Sequence, residues 1–215
     1  GLGCQPPTPP STLLPEVPLA VQSVSWNTKN VATGKVSAVA ELNEDTVVFS
    51  DQGAMVFTAG IPLVTDSAVR SWRTAAVVPA GDLAGSWLVA VDGTGHVRRL
   101  RDRSVMEDVS DRYGLLKEDI QEVIASDPQI RTVFALPQEL AVSDGQKVSR
   151  FSLSLRGISG GSGRVVGFGD TGVTVFQPNI GSILRYPLEG AVATQIDTAG
   201  RVIVATSDAL YRENQ

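Results

Sequence analysis

Between Val36 and the end of the chain one local pattern recurs five times: an apolar strand, a tight turn, a second apolar strand, a turn carrying Asp or Gly, then a third strand. Such a repeat constrains the fold more than any single residue does. Each unit is too small to bury its own apolar face, so it must stack on its neighbours. The last copy is the clearest. Ala191 to Asp197 leads through Thr198-Ala199-Gly200 into Arg201 to Thr206, and Ser207-Asp208 turns into Ala209 to Arg212. The first copy runs Val36 to Leu42, Thr46 to Ser50 and Ala54 to Phe57, and the second Thr74 to Val78, Trp87 to Val91 and His96 to Leu100. A third has strands at Ile120 to Ala125, Ile130 to Leu136, Leu140 to Ser143 and Lys147 to Phe151. The fourth, Arg164 to Phe168, Val173 to Phe176 and Ser182 to Leu188, follows a Gly-rich stretch read as a flexible connecting loop.

The turn aspartates Asp51, Asp92, Asp144, Asp170 and Asp208 have a backbone reason to recur. Asp hydrogen-bonds the amides of its own turn, and Gly supplies the positive φ that tight hairpins need. They are read as turn formers rather than as a repeated metal or carbohydrate site. A repeat of roughly 40 residues with three or four antiparallel strands is that of a β-propeller. The expected fold is therefore all-β, a small propeller of about five blades.

The last unit stops at its third strand, while Val21 to Trp26 is an unassigned, partly alternating strand at the other end. Pairing the two completes a blade and removes an exposed edge, so the ring is expected to close through this N-terminal strand. The expected division is a Pro-rich tether over 1–18 and a propeller domain over 19–215. The tether holds Pro6, Pro7, Pro9, Pro10, Pro15 and Pro18 with little that can pack, which makes an extended, semi-rigid spacer.

Composition narrows the classes. Hydrophobic residues are 42% and charged residues 19%, too apolar for a disordered chain. A net charge of −5 argues against nucleic acid as a partner, because phosphate binding needs a concentrated basic surface. The densest basic stretch, Arg98 to Arg103, is broken by Asp102 and followed by Glu107 and Asp108, as on a solvated strand end. No apolar run approaches the roughly 20 residues of a membrane helix, so the folded part is expected to be soluble. The first residue is Gly1, not Met, which points to upstream sequence removed or not included.

Two resemblances add to this. Leu2-Gly3-Cys4, followed by the Pro/Thr/Ser-rich spacer, resembles the processed end of a bacterial lipoprotein, although the usual Leu three positions before the cysteine is here Gly1. In that family the signal peptide is cut before the cysteine, which carries the lipid. The resemblance implies lipid attachment at Cys4 and a cell-envelope location, periplasm-facing or at the surface. Gly114-Leu115, Ile120, Val123-Ile124, Asp127, Thr132 to Ala135, Leu140 and Asp144-Gly145 resemble the two-component-regulator propeller repeat, as does Val192 to Tyr211. The usual Trp of its second strand is replaced by Phe134 or Val204. That resemblance speaks to the fold more than to a sensory role.

Catalytic chemistry is not legible. Cys4 is the lone cysteine and His96 the lone histidine, so no triad or zinc set can be assembled from them. The run Gly157 to Gly163 lacks the Lys-Ser/Thr of a phosphate-binding loop. Trp26, Trp72 and Trp87, with Tyr113, Tyr186 and Tyr211, are dispersed and read as packing residues. No catalytic residue, metal or cofactor is expected, and no ligand-binding residue is named. The leading expectation is a non-catalytic binding or scaffold module of the bacterial envelope, tethered to the membrane through Cys4 and engaging a protein partner. The alternative is a carbohydrate-active propeller, lectin-like or hydrolytic. A third reading is an open ring completed by another chain.

Overall fold

The computed structural model describes residues 13–15, 34–42, 44–78, 82–83, 88–101, 103, 105–126 and 132–214. They form five four-stranded antiparallel sheets. A short strand β1 (Leu13–Pro15) precedes them in the chain. The first sheet is β2 (Val36–Leu42), β3 (Asp45–Ser50), β4 (Gly53–Thr58) and β5 (Ile61–Asp66). The second is β6 (Trp72–Val77), β7 (Leu88–Asp92), β8 (Val97–Arg101) and β9 (Val105–Asp108). The third is β10 (Glu122–Ala125), β11 (Thr132–Ala135), β12 (Leu140–Ser143) and β13 (Val148–Phe151). The fourth is β14 (Arg156–Gly161), β15 (Arg164–Gly169), β16 (Gly172–Gln177) and β17 (Ser182–Tyr186), and the last contains β18 (Ala191–Ile196), β19 (Val202–Thr206) and β20 (Leu210–Glu213).

Each of the first four sheets is a meander in sequence order. The last takes its fourth strand from the other end of the chain: β1 pairs antiparallel with β20, Leu13 opposite Glu213 and Pro15 opposite Tyr211. The strand beside the C-terminal repeat therefore comes from the stretch read as tether, and the expected partner, Val21 to Trp26, lies outside the described residues.

Stacking follows from side-chain alternation, which sends successive residues to opposite faces of a sheet. In β7, Val89 and Val91 face one way into a cluster with Tyr113, Ile120 and Phe134, while Leu88 and Ala90 face the other way into a cluster with Val47, Phe49 and Trp72. Burial on both faces is why the central strands read as unbroken apolar runs rather than as alternating ones. Four such clusters join first sheet to second, second to third, third to fourth and fourth to last. Edge-to-face aromatic pairs sit inside them: Phe49 with Trp72 at 4.9 Å, Tyr113 with Phe134 at 4.7 Å, and Phe151 with Phe176 at 4.7 Å. The tryptophan and tyrosine of these pairs are thus packing residues, as expected. Among the described residues, no buried apolar cluster joins the last sheet back to the first.

Strands β2, β6, β10, β14 and β18 lie side by side in that order and form the inner wall. Here the Gly-rich stretch departs from expectation. It is not a loop: Arg156 to Gly161 is the innermost strand of the fourth sheet. Glycine is required because this strand passes close to both neighbours. A Cβ at Gly160 would crowd Ser126 at 2.8 Å and Ile124 at 3.1 Å, and one at Gly161 would meet Ile196 at 3.2 Å. At Gly157, φ is 53° and the strand bulges, with its register shifting between Arg156 and Ser159. Strands β5 and β9 were also not legible, the first because it carries Pro62 on a sheet edge, the second because Glu107 and Asp108 fill half its length.

Candidate functional site

Several polar groups tie one sheet to the next. The Glu122 carboxylate accepts from the amides of Gly157 and Ile158 at 2.9 Å each, the two donors that the bulge turns out of its own ladder. Arg73 reaches from β6 to Asp119 at 2.5 Å and to the Ile120 carbonyl at 2.8 Å. Buried Asp82 accepts from Thr132 at 2.5 Å and from the Tyr113 hydroxyl. Arg103 pairs with buried Asp45 at 2.5 Å. Arg164 grips Glu213 through both guanidinium nitrogens, at 3.1 and 2.9 Å, and Glu213 also accepts from the Tyr186 hydroxyl at 3.0 Å and the Val202 amide at 3.2 Å. Burial pushes the Glu213 carboxyl up, but the Arg164 bonds, then the Val202 amide and the Tyr186 hydroxyl, hold it below the usual range.

Two of the five expected turn aspartates, Asp92 and Asp144, bond the amides of their own turns, and the other three do not. Asp92 accepts from the Thr94 amide at 2.9 Å, the His96 amide at 3.1 Å and Arg98 at 2.6 Å. Burial works upward on its carboxyl, and the bonds from Thr94, Arg98 and His96 take it down. Asp144 accepts from the amides of Gln146 and Lys147, which lower it. Asp51 reaches the more distant Lys35 amide at 3.1 Å, and Asp208 takes the Thr206 hydroxyl at 2.8 Å. Asp197 makes the same kind of turn as Asp92 with Ala199 and Arg201. Asp170 differs: it is fully exposed and stands 3.7 Å from Arg156.

His96 lies in the turn before β8, with Nδ1 2.8 Å from Asp108. Asp108 also accepts the Ser110 amide at 3.0 Å. Burial raises the Asp108 carboxyl, while Ser110 and then His96 bring it below its ordinary value. The order of contacts is Ser110, Asp108, His96. Ser110 is fully buried and its hydroxyl accepts from the Val97 amide. A base must touch its nucleophile to activate it, and this serine is turned toward the carboxylate instead. Arg98 and Arg99 of β8 are likewise paired, with Asp92 at 2.6 Å and Glu107 at 2.7 Å, so these two do not form an open cationic patch. Cys4 lies outside the described residues.

Among the described residues, a cleft opens at the fourth sheet. It holds about 420 Å³ beside the junction of the fourth and last sheets, between the start of β14, the hairpin joining β15 to β16, and the connection into β18. Arg156 lies over the Phe168 ring at 5.7 Å, with Asp170, Leu188 and Glu189 around it. Its size is in the range of small-ligand sites, and it carries both charge signs beside the Phe168 ring that Arg156 covers. Only Asp170 among these residues stood out in the sequence, and there as a turn former. Residues far apart in the chain converge here, with no motif to mark them.

No protein-family profile matches the sequence, and a search of curated proteins returns no match. Similar solved structures are β-propeller proteins. A streptogramin B lyase matches with a TM-score of 0.62 at 12% identity, over 83% of this chain and 64% of that one. The WD40 propeller domain of Doa1 matches at 0.57 and 16% identity, over 83% of this chain and 62% of that one. The extracellular domain of a hybrid two-component system from B. thetaiotaomicron matches at 0.62 and 13%, over 84% of this chain but 26% of that one. The chain thus spans less than two thirds of each. At these identities the likeness concerns the fold alone: stacked antiparallel sheets of the propeller kind.

Proposed function

We propose that this chain is a non-catalytic binding or scaffold module of the bacterial cell envelope, held at the membrane by lipid on Cys4 and presenting its stacked sheets to a protein partner. The observation that carries the reading is the use of the polar groups. Glu122, Arg164, Glu213 and Asp82 bond sheet to sheet, and Asp92, Asp144 and Asp197 bond their own turns. Side chains so engaged build a rigid support, and recognition on such supports falls to loops and exposed faces. The propeller neighbours from bacterial sensors support an extracytoplasmic setting. Among the described residues, no helix is long and apolar enough to cross a membrane.

Lipid on Cys4 supplies the tether, each buried CH₂ contributing about 0.8 kcal/mol. Protein recovered from native membranes will carry acyl mass on its N-terminal peptide, and Cys4→Ser will move the domain into the soluble fraction. An unchanged membrane fraction for Cys4→Ser refutes the tether. The cleft at Arg156 favours a second reading, a carbohydrate-binding propeller, because its guanidinium and carboxylate groups, Arg156, Asp170 and Glu189, suit sugar hydroxyls.

A further inference from the structure

The bulge at Gly157 builds one wall of the cleft beside the fourth sheet. A Cβ at this position would strike the Phe168 ring, so the missing side chain leaves that space to the ring. Phe168 is the register partner of Arg156 across β14 and β15, and the guanidinium is carried over the ring, 5.7 Å from its centroid. An aromatic face holds an arginine without using its N–H donors. A carboxylate does not use them here either. Arg98 meets Asp92 at 2.6 Å and Arg201 meets Asp197 at 2.8 Å, whereas Arg156 stands 3.7 Å from Asp170, beyond hydrogen-bond reach. Among the described residues, no acceptor takes a hydrogen bond from Arg156. Its planar fork of donors is placed in the cleft and unspent.

Asp170 sits on the hairpin between β15 and β16, and Glu189 on the connection into β18, so two exposed carboxylates stand around one guanidinium. The other described residues of the lining are glycine or apolar. The polar side chains of this lining are therefore all of charged type, with no neutral hydroxyl or amide side chain among them. That set discriminates between ligands by charge. A ligand with negative charge alone meets two carboxylates for one guanidinium and is repelled on balance. One with positive charge alone leaves the Arg156 donors without an acceptor. A ligand with an ammonium and a carboxylate on neighbouring positions engages both kinds of group. The cleft, about 420 Å³, has room for one sugar unit so substituted.

We propose that this cleft binds a saccharide unit carrying both an ammonium and a carboxylate, the carboxylate on the Arg156 fork and the ammonium between Asp170 and Glu189. The assignment rests on the carbohydrate reading of the cleft and narrows it to one charge class. Calorimetry on the full chain at neutral pH and low salt tests it with glucose, glucosamine, glucuronate and muramic acid. These carry no charge, the ammonium alone, the carboxylate alone, and both. Muramic acid will bind about fivefold or more tighter than each of the others, the modest gain that exposed charge pairs allow. Arg156→Met, which keeps an apolar stem over Phe168, will bring muramic acid down to the level of glucosamine. Asp170→Asn combined with Glu189→Gln will bring it down to that of glucuronate. All three positions are exposed, so both variants will keep the wild-type melting temperature. If glucose, glucosamine or glucuronate binds as tightly as muramic acid, the carbohydrate reading stands and this proposal falls. A preference for muramic acid that survives either variant also overturns it, since the site then lies elsewhere. If none of the four sugars binds, or if alanine, a zwitterion without a sugar ring, binds as tightly as muramic acid, both readings fall.

Discussion

Replacing Glu213 by Gln tests how the fourth and last sheets are held together. The carboxylate is 7% exposed and accepts from Arg164 twice, from Tyr186 and from Val202. Glutamine keeps the shape but removes the charge and turns one acceptor into a donor. That donor must face the Arg164 guanidinium or the Val202 amide, and Arg164, itself only 16% exposed, loses its counter-charge. Removing one partner of a buried pair costs about 3–5 kcal/mol. At about 2–4 °C per kcal/mol for a chain of this size, the melting temperature should fall by about 6–20 °C. The pH dependence checks the cause. The Glu213 carboxyl lies below its ordinary value in the folded chain, so its contribution is complete above the unfolded pKa of about 4.3. It is lost as the pH falls from there through the folded value. Thermal melts of both proteins from neutral pH downward should therefore converge in acid. A loss under about 1 kcal/mol at neutral pH, or a gap that does not narrow below about pH 4, would refute the argument that this pair locks the junction.

Two further expectations concern the chain's edges. Deleting residues 1–12 should leave stability within about 0.5 kcal/mol, whereas deleting through Pro15 removes β1 from the edge of β20 and should cost about 2–4 kcal/mol by urea titration; equal midpoints would mean that this strand holds nothing. If the cleft binds sugars, Asp170→Ala, at a fully exposed carboxylate, should weaken oligosaccharide binding measured by calorimetry without lowering the melting temperature, and no binding to the wild-type chain would dispose of that reading.

Most of the strand inventory was legible in the sequence because it is local. Runs such as Leu88 to Val91 and Thr132 to Ala135 have few ways to be anything but buried strands, and Asp92 and Asp144 bond amides only two to four residues away. The stacked architecture was legible for the same reason, since a unit repeated five times that cannot bury its own face must stack. What sequence could not decide is whatever joins distant segments. The run Gly157 to Gly161 looked like a loop, because only the approach of Ser126, Ile124 and Ile196 explains why an inner strand there must lack side chains. Leu13 to Pro15 looked like tether because three residues carry too little pattern to announce a strand, and the exposed edge of β20 supplies the reason to form one. The cleft at Arg156 and the Arg164–Glu213 lock depend on how the strands and connections of the fourth and last sheets come together. Each is a relation between residues far apart in the chain, and stacking alone brings such residues together.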